Sequence, residues 1–184
     1  MKKSEDELIS SLQNSRTRNI AFGELLRVYQ ERLYWTIRRI VLSHDDADDV
    51  LQETFIKIYK NIDQFKGDSQ LYSWMYRIAT NEALSFLKRR AKIQGISETQ
   101  LQEKMISNLE ADPFFEGDKI QKLLQEGISK LPEKQRLVFN MKYFDEMTYE
   151  EMSGILETSI GALKASYHHA VKKLEVFLQE MNSQ

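Results

Sequence analysis

Apolar residues recur at helical spacing from early in the chain. Phe22, Leu25, Leu26, Tyr29, Leu33, Ile37 and Ile40 fall three and four apart, the spacing that gathers side chains on one side of an α-helix. The stripe ends near SHDD, where Ser43 or Asp45 can cap a second helix that carries Ala47, Val50, Leu51, Phe55, Ile58 and Ile62 inward. DQFKGDS then breaks the period. Gly67 is free there to take a positive φ, and Asp68 or Ser69 is placed to cap a third helix running to about Arg90. Three helices of this length predict a bundle.

The third helix opens on LYSWMYR, residues 71 to 77, in which Tyr72, Trp74 and Tyr76 alternate as they would in a strand. The run continues as IATNEALSFLKRR with no turn residue, so the helical period holds. Each helical residue advances by about 100°, which puts Tyr72 and Tyr76 on one side and Trp74 nearly opposite. Trp74 shares its side with Leu71, Met75 and Ile78 and is expected in the core. Tyr72 and Tyr76 are expected to face out.

Periodicity weakens from about residue 91 to 118, where AKIQGISETQLQEKMISNLEADPFFEGD mixes polar and acidic residues with Gly95, Pro113 and Gly117. Leu101, Met105 and Leu109 supply at most a short helical turn or two, and the stretch reads as a flexible linker. Beyond it, DKIQKLLQEGISKL, PEKQRLVFNMKYF, TYEEMSGIL and SIGALKASYHHAVKKLEVFL predict four more helices. The chain is therefore expected to be all-α, with small helical domains at 1–90 and 118–184 joined by a linker at 91–117.

TYEEMSGILETSIGALKASYHHA has the punctuation of a helix-turn-helix. Thr148 caps with Glu151 three residues on, Ile155 and Leu156 close the first helix, and Ser159 caps the next. Leu163, Tyr167, Val171, Leu174 and Leu178 anchor that second helix. Ala162, Ala165, Ser166, His169, Lys172 and Lys173 point outward, with Lys164 and His168 at the borders. Small residues admit a helix to a major groove and cations hold phosphate beside it. A helical hairpin with a solvated lysine face is the competing reading.

Composition narrows the chemistry. The chain has no cysteine and three histidines, which removes disulfides and thiolate metal sites and leaves little for a histidine-bound metal. There is no phosphate-binding glycine loop, nucleophile elbow or metal-ligand pair on a helix face. Neither an enzyme, a cofactor nor a metal is expected. MKKSEDELIS follows its two lysines with acids, and no window approaches about 18 consecutive apolar residues. A cytoplasmic protein without membrane insertion is expected. Net charge is only -2, yet HDDADDVLQE (44–53) is strongly acidic while FLKRRAK (86–92) and KASYHHAVKK (164–173) are basic. Patches of opposite sign predict more than one kind of partner.

Together, DDADDVLQETFIKIYKNIDQFKGDSQLYSWMYRIATNEALSFLKRR and LPEKQRLVFNMKYFDEMTYEEMSGILETSIGALKASYHHAVKKL resemble regions two and four of bacterial sigma factors of the extracytoplasmic-function group, within the sigma-70 family. The resemblance covers about residues 20 to 90 and 118 to 178. It implies a noncatalytic protein that binds core RNA polymerase, directs it to promoters through the −10 and −35 elements and helps open the DNA. It also implies an anti-sigma partner.

By the same resemblance, Asp48, Asp49, Gln52, Glu53 and Ile56 would dock on the clamp helices of the largest polymerase subunit. Asn61, Phe65, Lys66, Gly67, Asp68 and Ser69, followed by Tyr72, Tyr76, Arg77, Asn81 and Lys88, would hold an unstacked base and the strand of the −10 region. Lys164, Ala165, Ser166, His168, His169 and Lys172 would meet the −35 region. This last assignment is positional, because family members often carry further arginines where this chain has Ser166 and His169. A helix-turn-helix regulator acting without core polymerase, or a helical protein-interaction module, remains an alternative that the acidic segment separates from the first reading.

Overall fold

The computed structural model describes residues 4–107 and 119–182, and every regular element among them is helical. The backbone divides into two compact units, Met1–Phe86 and Leu87–Gln184. The first opens with α1 (Glu5–Gln13), a helix outside the expected set. Its start is fixed by a capping box: the Ser4 hydroxyl accepts from the Glu7 amide and the Glu7 carboxylate accepts from the Ser4 amide. Leu8 and Leu12, four apart, are buried as α1 packs on α2 (Arg18–Val41).

Leu25, Leu33 and Ile37 of α2 are fully buried, as the stripe requires. The helix stops where Leu42 turns left-handed at φ 58° and its amide donates to the Arg38 carbonyl at 2.9 Å. One residue on, the Ser43 hydroxyl accepts from the Asp46 amide and caps α3 (His44–Asn61). Ala47, Val50, Phe55 and Ile58 of α3 are buried, and α2 and α3 pack along each other. A 3₁₀ turn, α4 (Ile62–Gln64), leads to the loop containing Gly67, whose φ is 78°. The long helix α5 (Leu71–Gln94) follows.

The side chains of LYSWMYR do not divide as expected. Tyr72 and Tyr76 are only 7% and 2% exposed, whereas Trp74 is half-buried. The first turns of α5 are enclosed on several sides, so both faces of the wheel are covered. Tyr29 of α2 stacks on Tyr72 at 5.9 Å, Tyr76 meets Tyr72 edge-on at 5.9 Å, and Trp74 packs at 5.4 Å on Phe65, itself buried in the preceding loop. Amphipathic tyrosines serve well at such seams. Lys57 of α3 and the buried Glu82 pair across the next turns.

Residues 91–107 are more regular than the weakened periodicity suggests. Helix α5 runs on to Gln94, and after Gly95 at φ 65° a further helix, α6 (Glu98–Ser107), forms. A second capping box starts it, with Ser97 and Gln100 exchanging amide and side-chain hydrogen bonds at 2.9 and 3.1 Å. Leu101 and Met105 are buried, and Leu109 lies outside the described residues.

The second unit continues with α7 (Lys119–Ser129), α8 (Glu133–Tyr143), α9 (Tyr149–Leu156) and α10 (Ile160–Asn182). Ile128, Leu131, Phe139, Ala170 and Leu174 form its core, flanked by Leu124, Phe144, Tyr167 and Val171. Gly127 lets α7 approach α10, since a Cβ there would lie 2.7 Å from Phe177 Cδ1. Burial pushes the Arg136 guanidinium down from its usual range, against the opposing pull of Glu133.

Candidate nucleic-acid interface

Helix α3 separates two chemistries. While Val50, Phe55 and Ile58 are buried, Asp49, Gln52, Glu53 and Ile56 are exposed and Asp48 is half-buried. The expected docking residues thus share one strip, and Ile56, 46% exposed, supplies an apolar spot beside the acids. His44 Nε2 lies 3.6 Å from Asp48 Oδ2, and His44 Nδ1 is 2.7 Å from the Tyr34 hydroxyl. Those contacts hold Asp48 from behind, leaving Asp49 and Glu53, one helical turn apart, as the outward acids.

Of the residues expected to receive unpaired DNA, Lys66, Gly67, Asp68 and Ser69 are exposed together in the loop before α5. Phe65, which immediately precedes them, is buried with Trp74 against it. Asn61 is half-buried and donates its amide to the Lys57 carbonyl at 2.8 Å. Arg77 is half-buried, while Asn81 and Lys88 are exposed farther along α5. Tyr72 and Tyr76 do not join this surface, because both are buried, Tyr72 against Tyr29 of α2 and Tyr76 edge-on to Tyr72. Arg32, which the periodicity did not single out, places its guanidinium carbon 3.8 Å from the Tyr72 ring centroid.

The helix-turn-helix is built as its sequence punctuation requires. Thr148 and Glu151 form the capping box on α9, with the Thr148 amide donating to Glu151 Oε2 at 2.7 Å. Glu157 makes the tight turn at φ 50°, a conformation that glycine more often occupies. The Ser159 hydroxyl then accepts from the Ala162 amide. On α10, Leu163, Ala170 and Leu174 are buried, while Lys164, Ala165, His168, His169 and Lys172 are exposed and Ser166 is half-buried. Lys142 and Lys164 set their ammonium groups 5.2 and 5.6 Å from the Tyr149 ring, which gathers cations where α9 meets α10.

Contacts from α1 to the exposed loop were not foreseeable from periodicity. Gln13 Nε2 donates to the carbonyls of Ile62 and Phe65 at 3.3 and 2.8 Å, and Glu5 Oε1 accepts from the Leu71 amide at 3.0 Å. Arg18 pairs with Asp63 and donates to the Leu12 carbonyl at 2.8 Å. The capping boxes SEDE and SETQ were the available signals for the two additional helices.

No group of three or more histidine, aspartate or glutamate side chains among the described residues is arranged to hold a metal. Among them, too, no helix is long and apolar enough to cross a membrane.

Residues 25–93 match the family described as Sigma-70 region 2, and residues 121–174 match Sigma-70, region 4. The chain is 30% identical over 173 residues to the ECF RNA polymerase sigma factor SigW of Bacillus subtilis, covering 88% of this chain and 90% of that protein. It is also 30% identical over 171 residues to the ECF RNA polymerase sigma-E factor of Escherichia coli K12, covering 88% of each. Among solved structures, CnrH in complex with the cytosolic domain of CnrY has a TM-score of 0.69 at 21% identity, covering 97% of this chain and 99% of that one. The sigma factor RpoE in complex with the anti-sigma factor NepR, from Bartonella quintana, has a TM-score of 0.68 at 20% identity, covering 86% and 96%.

Proposed function

The chain belongs to the extracytoplasmic-function group of the sigma-70 family of RNA polymerase sigma factors, and from that premise we propose how its surfaces divide the work of initiation. As a sigma factor it binds core polymerase and directs promoter-specific transcription. The strip of Asp48, Asp49, Gln52, Glu53 and Ile56 docks on the clamp helices of the largest subunit. The loop of Lys66, Gly67, Asp68 and Ser69, which follows the buried Phe65, receives an unstacked base of the −10 element. Asn61 and Arg77, with Asn81 and Lys88 farther along α5, adjoin that path.

Tyr72 and Tyr76 act beneath this surface by holding α5 in place. The exposed face of α10, with Lys164, Ala165, His168, His169 and Lys172 and the half-buried Ser166, meets the −35 element. The protein has no catalytic activity of its own and works in the cytoplasm, where an anti-sigma protein holds it inactive until a stimulus.

The observation that carries this reading is the strip on α3, where exposed acids and an exposed isoleucine lie on a helix whose other side is packed. Capping alone does not call for acids so far along the helix, since the dipole acts mainly on its first turn. Mixing the chain with core polymerase tests the proposal: a complex forms at low salt and starts transcription from a subset of a random-sequence promoter pool. A chain that binds promoter DNA without core would instead favour an independent helix-turn-helix regulator.

The histidines on α10 add a second test. His168 and His169 are both exposed, and ring N–H groups at such positions can donate to phosphates or base edges. Replacing both with alanine is expected to lower the promoter affinity of the assembled holoenzyme while core binding stays as in wild type. Unchanged promoter affinity would remove the histidines from the DNA surface.

A further inference from the structure

The exposed loop hangs between two anchors, and both reach one helix. At its start, the Gln13 amide bridges the carbonyls of Ile62 and Phe65. At its end, the Glu5 carboxylate accepts from the amide of Leu71, the first residue of α5. That amide is among the helix-start donors that lack an intrahelical partner, and an anion suits the positive end of the helix dipole. Arg18 adds a third tie by pairing with Asp63 while its Nε donates to the Leu12 carbonyl. Glu5, Gln13 and Arg18 all precede the segment matched by Sigma-70 region 2, which begins at residue 25.

Between the anchors, Lys66 to Gln70 are all exposed. Both ends of this short segment are held by side chains whose own helix is seated through buried Leu8 and Leu12. Burial raises the Tyr29 phenol above its usual range, and the adjacent Glu5 carboxylate raises it further, which ties the same anchor to the aromatic seam under α5. A loop that is already ordered loses less freedom when it closes on a ligand, and it presents its polar groups at fixed separations.

We propose that Glu5 and Gln13 are positioning residues for capture of the extruded promoter base, with α1 holding the loop in its receiving shape before DNA arrives. The proposal rests on the reading that Lys66 to Ser69 form the base site. It assigns α1 a part in DNA opening without any contact to DNA. Glu5→Ala and Gln13→Glu each remove one anchor; Glu5→Gln keeps an acceptor for the Leu71 amide and is the conservative control.

The test uses holoenzyme assembled from core polymerase and the full chain, on a promoter selected by the wild-type holoenzyme from a random duplex pool. Abasic nucleotides are placed one at a time through the non-template strand of the opened region, and open-complex formation is measured. Wild type is expected to show one position where loss of the base lowers opening about tenfold, the scale of a single stacked and held base. In Glu5→Ala and Gln13→Glu that penalty shrinks to about threefold or less, while Glu5→Gln retains it.

Unchanged penalties in both anchor variants would overturn the proposal. In the same outcome, a flattened abasic profile in a Lys66→Ala, Asp68→Ala variant would leave the base site itself standing. If that loop variant also keeps the wild-type profile, the base-site reading fails together with the positioning role. A uniform loss of opening at every scanned non-template position, accompanied by a lowered unfolding temperature, would mark a general folding defect and equally overturn a positioning role.

Discussion

Reversing Asp49 and Glu53 together to arginine is expected to weaken binding to core RNA polymerase at least tenfold, about 1.4 kcal/mol or more. Close charge pairs at protein interfaces couple by roughly 1.5 to 7 kcal/mol, and reversal replaces attraction with repulsion. Folding should change far less. Both side chains are exposed on α3 and can be lengthened into solvent, and the lost helix-dipole interaction amounts to roughly 0.3 to 1 kcal/mol for an acid near the first turn. The outcome is read by titrating labelled chain with core polymerase at two salt concentrations while following thermal unfolding of the free chain. A loss of affinity matched by an equal loss of stability would assign these acids to the fold. Unchanged affinity would remove the strip from the polymerase interface. Asp48 is a poorer probe, because its contact with His44 adds a local rearrangement to any substitution.

Tyr76→Ala is expected to cost about 3 to 5 kcal/mol of stability, the range for truncating a large buried aromatic. The ring is 2% exposed and lies edge-on to Tyr72, which in turn stacks on Tyr29. Removing it opens a cavity beside Tyr72, the ring through which α5 meets Tyr29 of α2. Since small domains hold only about 5 to 15 kcal/mol in total, the loss would consume much of the stability of the first unit. Urea unfolding of wild type, Tyr76→Ala and Tyr76→Phe measures it, and the phenylalanine variant should lie far closer to wild type because it keeps the ring. A Tyr76→Ala chain that unfolds at the wild-type midpoint yet fails to open promoters would return the tyrosine to the DNA surface.

The helices with wide apolar stripes were legible in the sequence, and so was the acid strip. On α3 the buried and exposed sets alternate with the wheel, so Val50 and Phe55 could be separated from Asp49 and Glu53 without coordinates. The helix-turn-helix was equally readable, because Thr148, Glu151 and Ser159 mark both helix starts. Helix α5 was harder for a physical reason. A wheel assigns one inward face, but the start of this helix is covered on several sides, and Tyr72 and Tyr76 pack as well as Leu71 and Met75. The two short helices α1 and α6 carry few apolar residues, so periodicity alone was weak, although their capping boxes were present. Long-range hydrogen bonds from Glu5 and Gln13 left no local trace, since each joins residues at least 49 positions apart.

The seating of Leu8 and Leu12 bears on how this protein should be cut for study. A fragment started at residue 25, where similarity to region 2 begins, would contain every docking acid and the whole exposed loop. It would nevertheless strip α2 of the helix that covers it and leave apolar surface open to water, an invitation to self-association. Its failure would then be mistaken for evidence about promoters or polymerase. The mechanical unit begins at Ser4 or earlier, ahead of the segment by which its kinship is recognised.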